Sequence, residues 1–278
     1  MLTDEIRARL EQLNRERLPP VAPERKRSTR EPSPTLCSLD DLLDSQVTVS
    51  EAGSHYRLRK PLAHFWPHLP DRLDPTGGCE VRKMDSHPEL VGFEQAFPDR
   101  AMFLDLETCG FAGSPIFLIG LVYSDGGRLV VDQLLARDYT EERAILDTLW
   151  RIAAGHDVLV TFNGKSFDWP MVRDRTFFHR LNDGGSEPAV HFDLLHHARR
   201  KWKRVLPNCR LQTLERYVCG RLRRGDIPGS QIPAAYHQYV RSGDARQMVS
   251  VLHHNALDLV TLAQLAVRIT AGFERAVA

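Results

Sequence analysis

Asp105 and Glu107 stand two residues apart at the end of an apolar run, Ala101–Leu106. Residues two apart on a strand share a face, so both carboxylates can point at one spot. Paired carboxylates suit a hard divalent cation, which prefers oxygen ligands. A lone Asp-x-Glu arises about once by chance in a chain of this composition, so the pair needs company. Thr108-Cys109-Gly110-Phe111 follows directly, and Gly110 suits a tight turn beside a ligand. A third acid, Asp168, closes Phe162-Asn163-Gly164-Lys165-Ser166-Phe167-Asp168, where a buried strand gives way to a helix. A fourth, Asp258, ends His253-His254-Asn255-Ala256-Leu257-Asp258 and is flanked by Leu257 and Leu259. An acid among leucines needs a partner, and a metal is one. Around a regular helix His254 lies about 40° from Asp258 and His253 about 140° away.

Gly164-Lys165-Ser166 is not a phosphate loop. That motif needs a glycine five residues before its second glycine, and position 159 is Leu. No nucleoside triphosphate site is expected. A basic stretch, Arg199-Arg200-Lys201-Trp202-Lys203-Arg204, offers charge for backbone phosphates around one aromatic for stacking. Arg221, Arg223 and Arg224 extend it. Asp193 precedes it as a structural or accessory acid, and the Gly/Pro loop 225–233 is a candidate lid.

The elements that must position these residues follow from periodicity. Three apolar runs, Ala101–Leu106, Ile116–Tyr123 and Arg128–Leu135, predict an antiparallel meander, with the second turn at Asp125-Gly126-Gly127. Helical spacing over Glu141–Ala154 is followed by a buried strand, Val158–Phe162, and a helix over Ser166–Leu181. Helices are expected over Phe192–Lys203 and Leu211–Val218, a loop over Arg224–Tyr239, and a long final helix from a cap at Asp244 to about residue 270. That order is α/β: a mixed sheet flanked by helices, with a helical C-terminal part.

The domain plan has three parts. Residues 1–36 read as a charged helix and flexible linker, rich in Pro, Arg, Glu and Ser after residue 18. Residues 37–97 read as an N-terminal extension or small sub-domain, in which His55, His64, His68 and His87 pass as surface histidines. Residues 98–275 carry the chemistry.

The 278 residues, with 42% hydrophobic and 26% charged side chains, exclude global disorder, a collagen-like chain and a coiled coil. The net charge of +1 argues against a basic coat protein but not against a local patch. Only six of the 37 basic residues are lysine, a coding bias compatible with phosphate-binding Arg forks. Five scattered cysteines, with no C-x-x-C pair, fit reduced thiols. The longest apolar run, Pro115–Tyr123, is far short of the roughly 20 residues that span a bilayer. No membrane partner and a cytoplasmic location are expected.

Taken in order, Asp105-x-Glu107, Asn163-Gly164-x-x-Phe167-Asp168 and the His pair before Asp258 resemble the three motifs of the DEDD exonucleases. The closer likeness is to the YprB-like branch of ribonuclease-H-like proteins. It covers about residues 98–270 and includes Thr161–Pro170, Asp226-Ile227-Pro228-Gly229 and His254-Asn255-x-x-Asp258. The resemblance implies a ribonuclease-H-like fold and a metal-dependent 3′–5′ exonuclease acting on DNA or RNA. It implies two Mg²⁺ or Mn²⁺ ions, with Asp105 bridging both, Glu107 and Asp258 completing the first site, and Asp168 holding the second. Two such ions activate the attacking water and stabilise the leaving oxygen. The general base is His253 if its segment is a loop and His254 if the helix is regular, the latter preferred. Candidate contacts to single-stranded or 3′-ended nucleic acid are Thr108, Asn163, Lys165 and the residues from Arg199 to Arg204. An inactive nucleic-acid-binding module and a structure-specific endonuclease stand as alternatives.

Overall fold

The computed structural model describes residues 37–42, 46–67, 87–110, 113–181 and 187–270. The helix and linker expected over 1–36 lie outside the described residues, as do His68 and Cys79.

One seven-stranded sheet organises the chain. Its strands are β1 (Gln46–Ser50), β2 (Gly53–Pro61), β3 (Ala101–Thr108), β4 (Ile116–Asp125), β5 (Arg128–Leu135), β6 (Val158–Thr161) and β7 (Val190–Asp193). They lie in the order β1-β2-β5-β4-β3-β6-β7. Pairing is antiparallel from β1 to β3 and parallel across β3, β6 and β7. The helices are α1 (Leu39–Leu42), α2 (Leu62–Phe65), α3 (Pro88–Ala96), α4 (Glu142–Ala153), α5 (Asp168–Phe178), α6 (Leu194–Trp202), α7 (Leu211–Tyr217), α8 (Ile232–Ser242) and α9 (Arg246–Thr270). The expected mixed sheet flanked by helices, with a helical C-terminal part, is what forms.

The strand pleat sorts β3 between two cores. Met102 and Leu104 pack with α4, α8 and the first half of α9. Ala101 and Phe103 pack on the other face with α3, α6 and the second half of α9. Asp105 and Glu107 continue the Phe103 face beyond the apolar part of the strand, beside α9. Eight consecutive residues of β4, Ile116–Tyr123, are buried, as befits a strand covered on both faces.

Three expectations need correction. The helix expected over Phe192–Lys203 is a strand, β7, followed by α6; Asp193 ends the strand and caps the helix by accepting from the Leu195 amide at 3.0 Å. The stretch expected to be a loop to Tyr239 becomes helix α8 at Ile232, because Pro233 sits in a first turn, where proline is tolerated. His55 is not a surface histidine: it is fully buried in β2, and burial pushes its pKa down to about 4.

Candidate active site

Three elements bring the acids together: β3 carries Asp105 and Glu107, the N-terminus of α5 carries Asp168, and α9 carries Asp258. Asp105 pairs in register with Gly120 of β4, which pairs with Gln133 of β5. Asn255 of α9 fills the space that Gly120 leaves. It accepts from Gln133 Nε2 at 2.8 Å and donates from Nδ2 to Asp105 Oδ2 at 2.8 Å. A Cβ on Gly120 would lie 2.1 Å from Asn255 Oδ1, so only glycine fits.

Asp168 is held by the loop before it. Asn163 adopts a left-handed conformation, φ 66°, which Asn tolerates. Its amide and that of Lys165 donate to the fully buried Asp193 carboxylate at 2.8 and 3.1 Å. Asp193 is therefore structural, clamping the loop and capping α6 at once. Gly164 lies so close to Thr161 that a Cβ would fall 2.4 Å from its hydroxyl. The β3–β6 pairing ends at Phe103 and Val160, which leaves the end of β3 open toward Asp168.

The charge balance shows that these acids act on one another. Burial, then repulsion from Asp258, Glu107 and Asp168, raises the Asp105 pKa well above the usual carboxylate range. Burial is also the main cause that pushes Glu107 up to about 8 and Asp168 up to about 7. Asp258 goes the other way: its burial is outweighed by a hydrogen bond to His254 and by the Arg223 guanidinium. His254 bonds Asp226 through Nδ1 at 2.8 Å and faces Asp258 Oδ2 through Nε2 at 3.4 Å. Burial lowers the pKa of this imidazole, but Asp258, Glu107 and Asp226 overcome that and push it up to about 9. α9 is continuous across this region, which puts His254 among the acids and leaves His253 exposed on the outer side.

Two neighbours were not singled out from sequence as part of the site. Arg223, 8% exposed at its side chain, contacts Glu215 at 2.6 Å, Asp226 at 3.1 Å and Asp258. Asp226 carries the His254 contact. Arg223 reads only as part of a basic strip with Arg221 and Arg224, and Asp226 only within Asp226-Ile227-Pro228-Gly229, and spacing ties neither to α9.

A model of the RNase_H superfamily matches residues 102–270, which span β3 to α9 and all four acids. The chain belongs to the RNase_H superfamily. It is 36% identical over 175 residues to the uncharacterized protein YprB of Bacillus subtilis strain 168, a match that covers 60% of this chain and 41% of YprB. The family B DNA polymerase of the hyperthermophilic archaeon Pyrobaculum calidifontis superposes with a TM-score of 0.49 at 18% identity, over 63% of this chain and 26% of that one.

The other expected contacts of this RNase_H-superfamily chain scatter around the site. Arg199, Arg200, Lys203 and Arg204 are exposed on or just after α6. Trp202 is corrected: its ring is 9% exposed in the core, because the inward face of α6 carries it. It cannot serve as a stacking platform. Lys201 is half-buried, with Nζ 5.6 Å from the Trp202 ring centre. Arg221 and Arg223 turn inward to Glu215 rather than extending the exposed strip. The Thr108 hydroxyl donates to the Gly110 carbonyl at 3.2 Å, and Lys165 Nζ lies 2.6 Å from Glu89. An open groove of about 470 Å³ runs beside the Asp193-clamped loop, lined among others by Phe162, Asn163, Leu195, Arg199, Asn208 and Arg210. No helix among the described residues is long and apolar enough to cross a membrane.

Proposed function

We propose that this chain is a metal-dependent 3′–5′ exonuclease that hydrolyses phosphodiester bonds of DNA or RNA in the cytoplasm. The observation that carries the reading is that Asp105 and Glu107 from β3, Asp168 from the start of α5 and Asp258 from α9 face one half-buried site, where the other three acids all raise the Asp105 pKa. Such a set is costly without cations between its members. All four donors are carboxylates, which fits Mg²⁺ or Mn²⁺ rather than a softer ion. Asp105, Glu107, Asp168 and Asp258 would hold two ions, which when bound supply an activated water and charge stabilisation at the leaving oxygen.

The protein's own side chains do the rest. Asn255 fixes the Asp105 carboxylate from one side, so that its remaining lone pairs face the site. Asp226 orients His254 through Nδ1, which leaves Nε2 on the side of Asp258. With Nδ1 engaged by Asp226, Nε2 is the atom that would accept a proton from the attacking water. His254, rather than His253, is the general base in this account. Arg199 and Arg210 at the groove, with Arg200, Lys203 and Arg204 nearby, would bind backbone phosphates of a single-stranded 3′ end.

Strands labelled at the 3′ or the 5′ end test the direction. Early release of label as mononucleotide from the 3′ end alone, from at least one of DNA and RNA, is the expected result. Cutting of closed circles would establish the endonuclease alternative instead.

A further inference from the structure

A second set of donors converges away from the four carboxylates, between α3 and α6. His87 is the N-cap of α3, Glu89 lies in its first turn, and His197 lies on the inward face of α6. One ligand atom from each lies within 4.8 Å of the other two, a convergence that no other group of three His, Cys or acidic residues reaches among the described residues. His197 Nε2 and Glu89 Oε2 are 2.9 Å apart, and the two imidazole rings meet edge to face at 4.8 Å.

We propose that His87, Glu89 and His197 form a zinc site that fastens α3 to α6. Two imidazoles and one carboxylate supply three of the four ligands that zinc takes, the last position going to water. The nitrogen donors separate this site from the all-oxygen one: borderline ions prefer imidazole, whereas Mg²⁺ does not. Ligand bonds of about 2.0–2.2 Å place donors roughly 3.3–3.5 Å apart in a tetrahedron. The framework is already stiff. Pro88 sets the first turn of α3, His197 is 4% exposed, and its ring packs at 4.9 Å on Phe192. Glu89 divides its oxygens: Oε2 faces His197, and Oε1 accepts from Lys165 Nζ at 2.6 Å. Lys165 thus orients the ligating carboxylate from outside, as partners of metal ligands commonly do. Through Lys165 the site also steadies the loop that presents Asp168.

The test is zinc binding by the full chain after chelator treatment, read by calorimetry and by the visible absorption of Co²⁺ used in place of zinc. Asp105→Asn serves as the background in which the carboxylate site is disabled. One equivalent of zinc and tetrahedral Co²⁺ bands are expected in that background. Adding His87→Ala should weaken binding at least 100-fold and abolish the bands. His87 is half-buried at a helix start, so this variant retains the fold, which circular dichroism checks; Glu89→Gln gives the same readout with its shape unchanged. Equal zinc isotherms with and without His87, or no Co²⁺ bands before its removal, would overturn the proposal. The readout is binding alone, so neither result bears on the nuclease reading.

Discussion

Asn255 donates to Asp105 across the one position where β4 has glycine, and the bond is 2.8 Å long. Three strands and one helix meet in this contact, because Gln133 holds the other end of the same amide and also bonds the Leu252 carbonyl at 2.8 Å. A buried amide with both ends engaged has one orientation, and it passes that orientation to the carboxylate. Asn255→Ala is expected to lower metal-dependent hydrolysis about 10- to 100-fold, the usual cost of losing a partner of a metal ligand. Gly120→Ala should lower it comparably, because the added methyl displaces the same amide. Rates measured at saturating Mn²⁺, with melting curves to confirm folding, check both.

Arg223 neutralises three buried or half-buried acids, Glu215, Asp226 and Asp258. Removing one partner of a buried ionic group costs about 3–5 kcal/mol, since the remaining charges stay unpaired. Arg223→Met is expected to destabilise the protein by that amount in urea unfolding. Arg223→Lys, which keeps the charge but loses the fork, should fall between.

The sequence made the centre of the molecule legible and its margins less so. The placement of Asp105, Glu107, Asp168, His254 and Asp258 was legible because each sits at a strand end, a helix start or a helical repeat, where local spacing fixes direction. Trp202 could not be assigned, because its burial depends on what α6 packs against. Strand β7 is four residues long and runs straight into α6, too short for alternation to be seen. The grouping of His87, Glu89 and His197 joins elements over 100 residues apart, which no periodicity reports. Residues 37–97 were opaque for a similar reason: β2 gains its place by pairing with β5, and β1 by pairing with β2.

The acids predict a pH dependence of known sign. Glu107 at about 8 and Asp168 at about 7 bind protons more tightly in the folded chain than carboxylates do when unfolded, near 4. Their contribution to stability is whole below about pH 4 and is lost as pH rises through the folded values. His254, raised to about 9 from an ordinary 6.5, acts in the same direction at higher pH. The buried His55 and His191, both lowered to about 4, act in the opposite sense only below about pH 6.5. The melting temperature in EDTA is therefore expected to fall between about pH 7 and 8.5, with Mn²⁺ restoring it at the upper end. A rise across that window in EDTA contradicts the assignment.

The basic residues near α6 divide by exposure. Arg199, Arg200 and Arg204 are exposed, so alanine at each should weaken binding to all sequences alike and reduce the salt slope by about 0.7 to 1 per lost phosphate contact. Trp202→Ala should instead cost about 3–5 kcal/mol of stability, as large core truncations do. Binding measured at several salt concentrations, beside unfolding curves, separates the two.

The central claim is that Asp105, Glu107, Asp168 and Asp258 form a metal-dependent hydrolytic centre. The most direct measurement is nucleotide release from 3′-labelled single-stranded DNA and RNA by the purified chain in Mn²⁺, in Mg²⁺ and in EDTA, with Asp105→Asn alongside. The account predicts release that requires the metal and is lost in the variant. No release from either polymer with either ion, or equal release by Asp105→Asn, would contradict it.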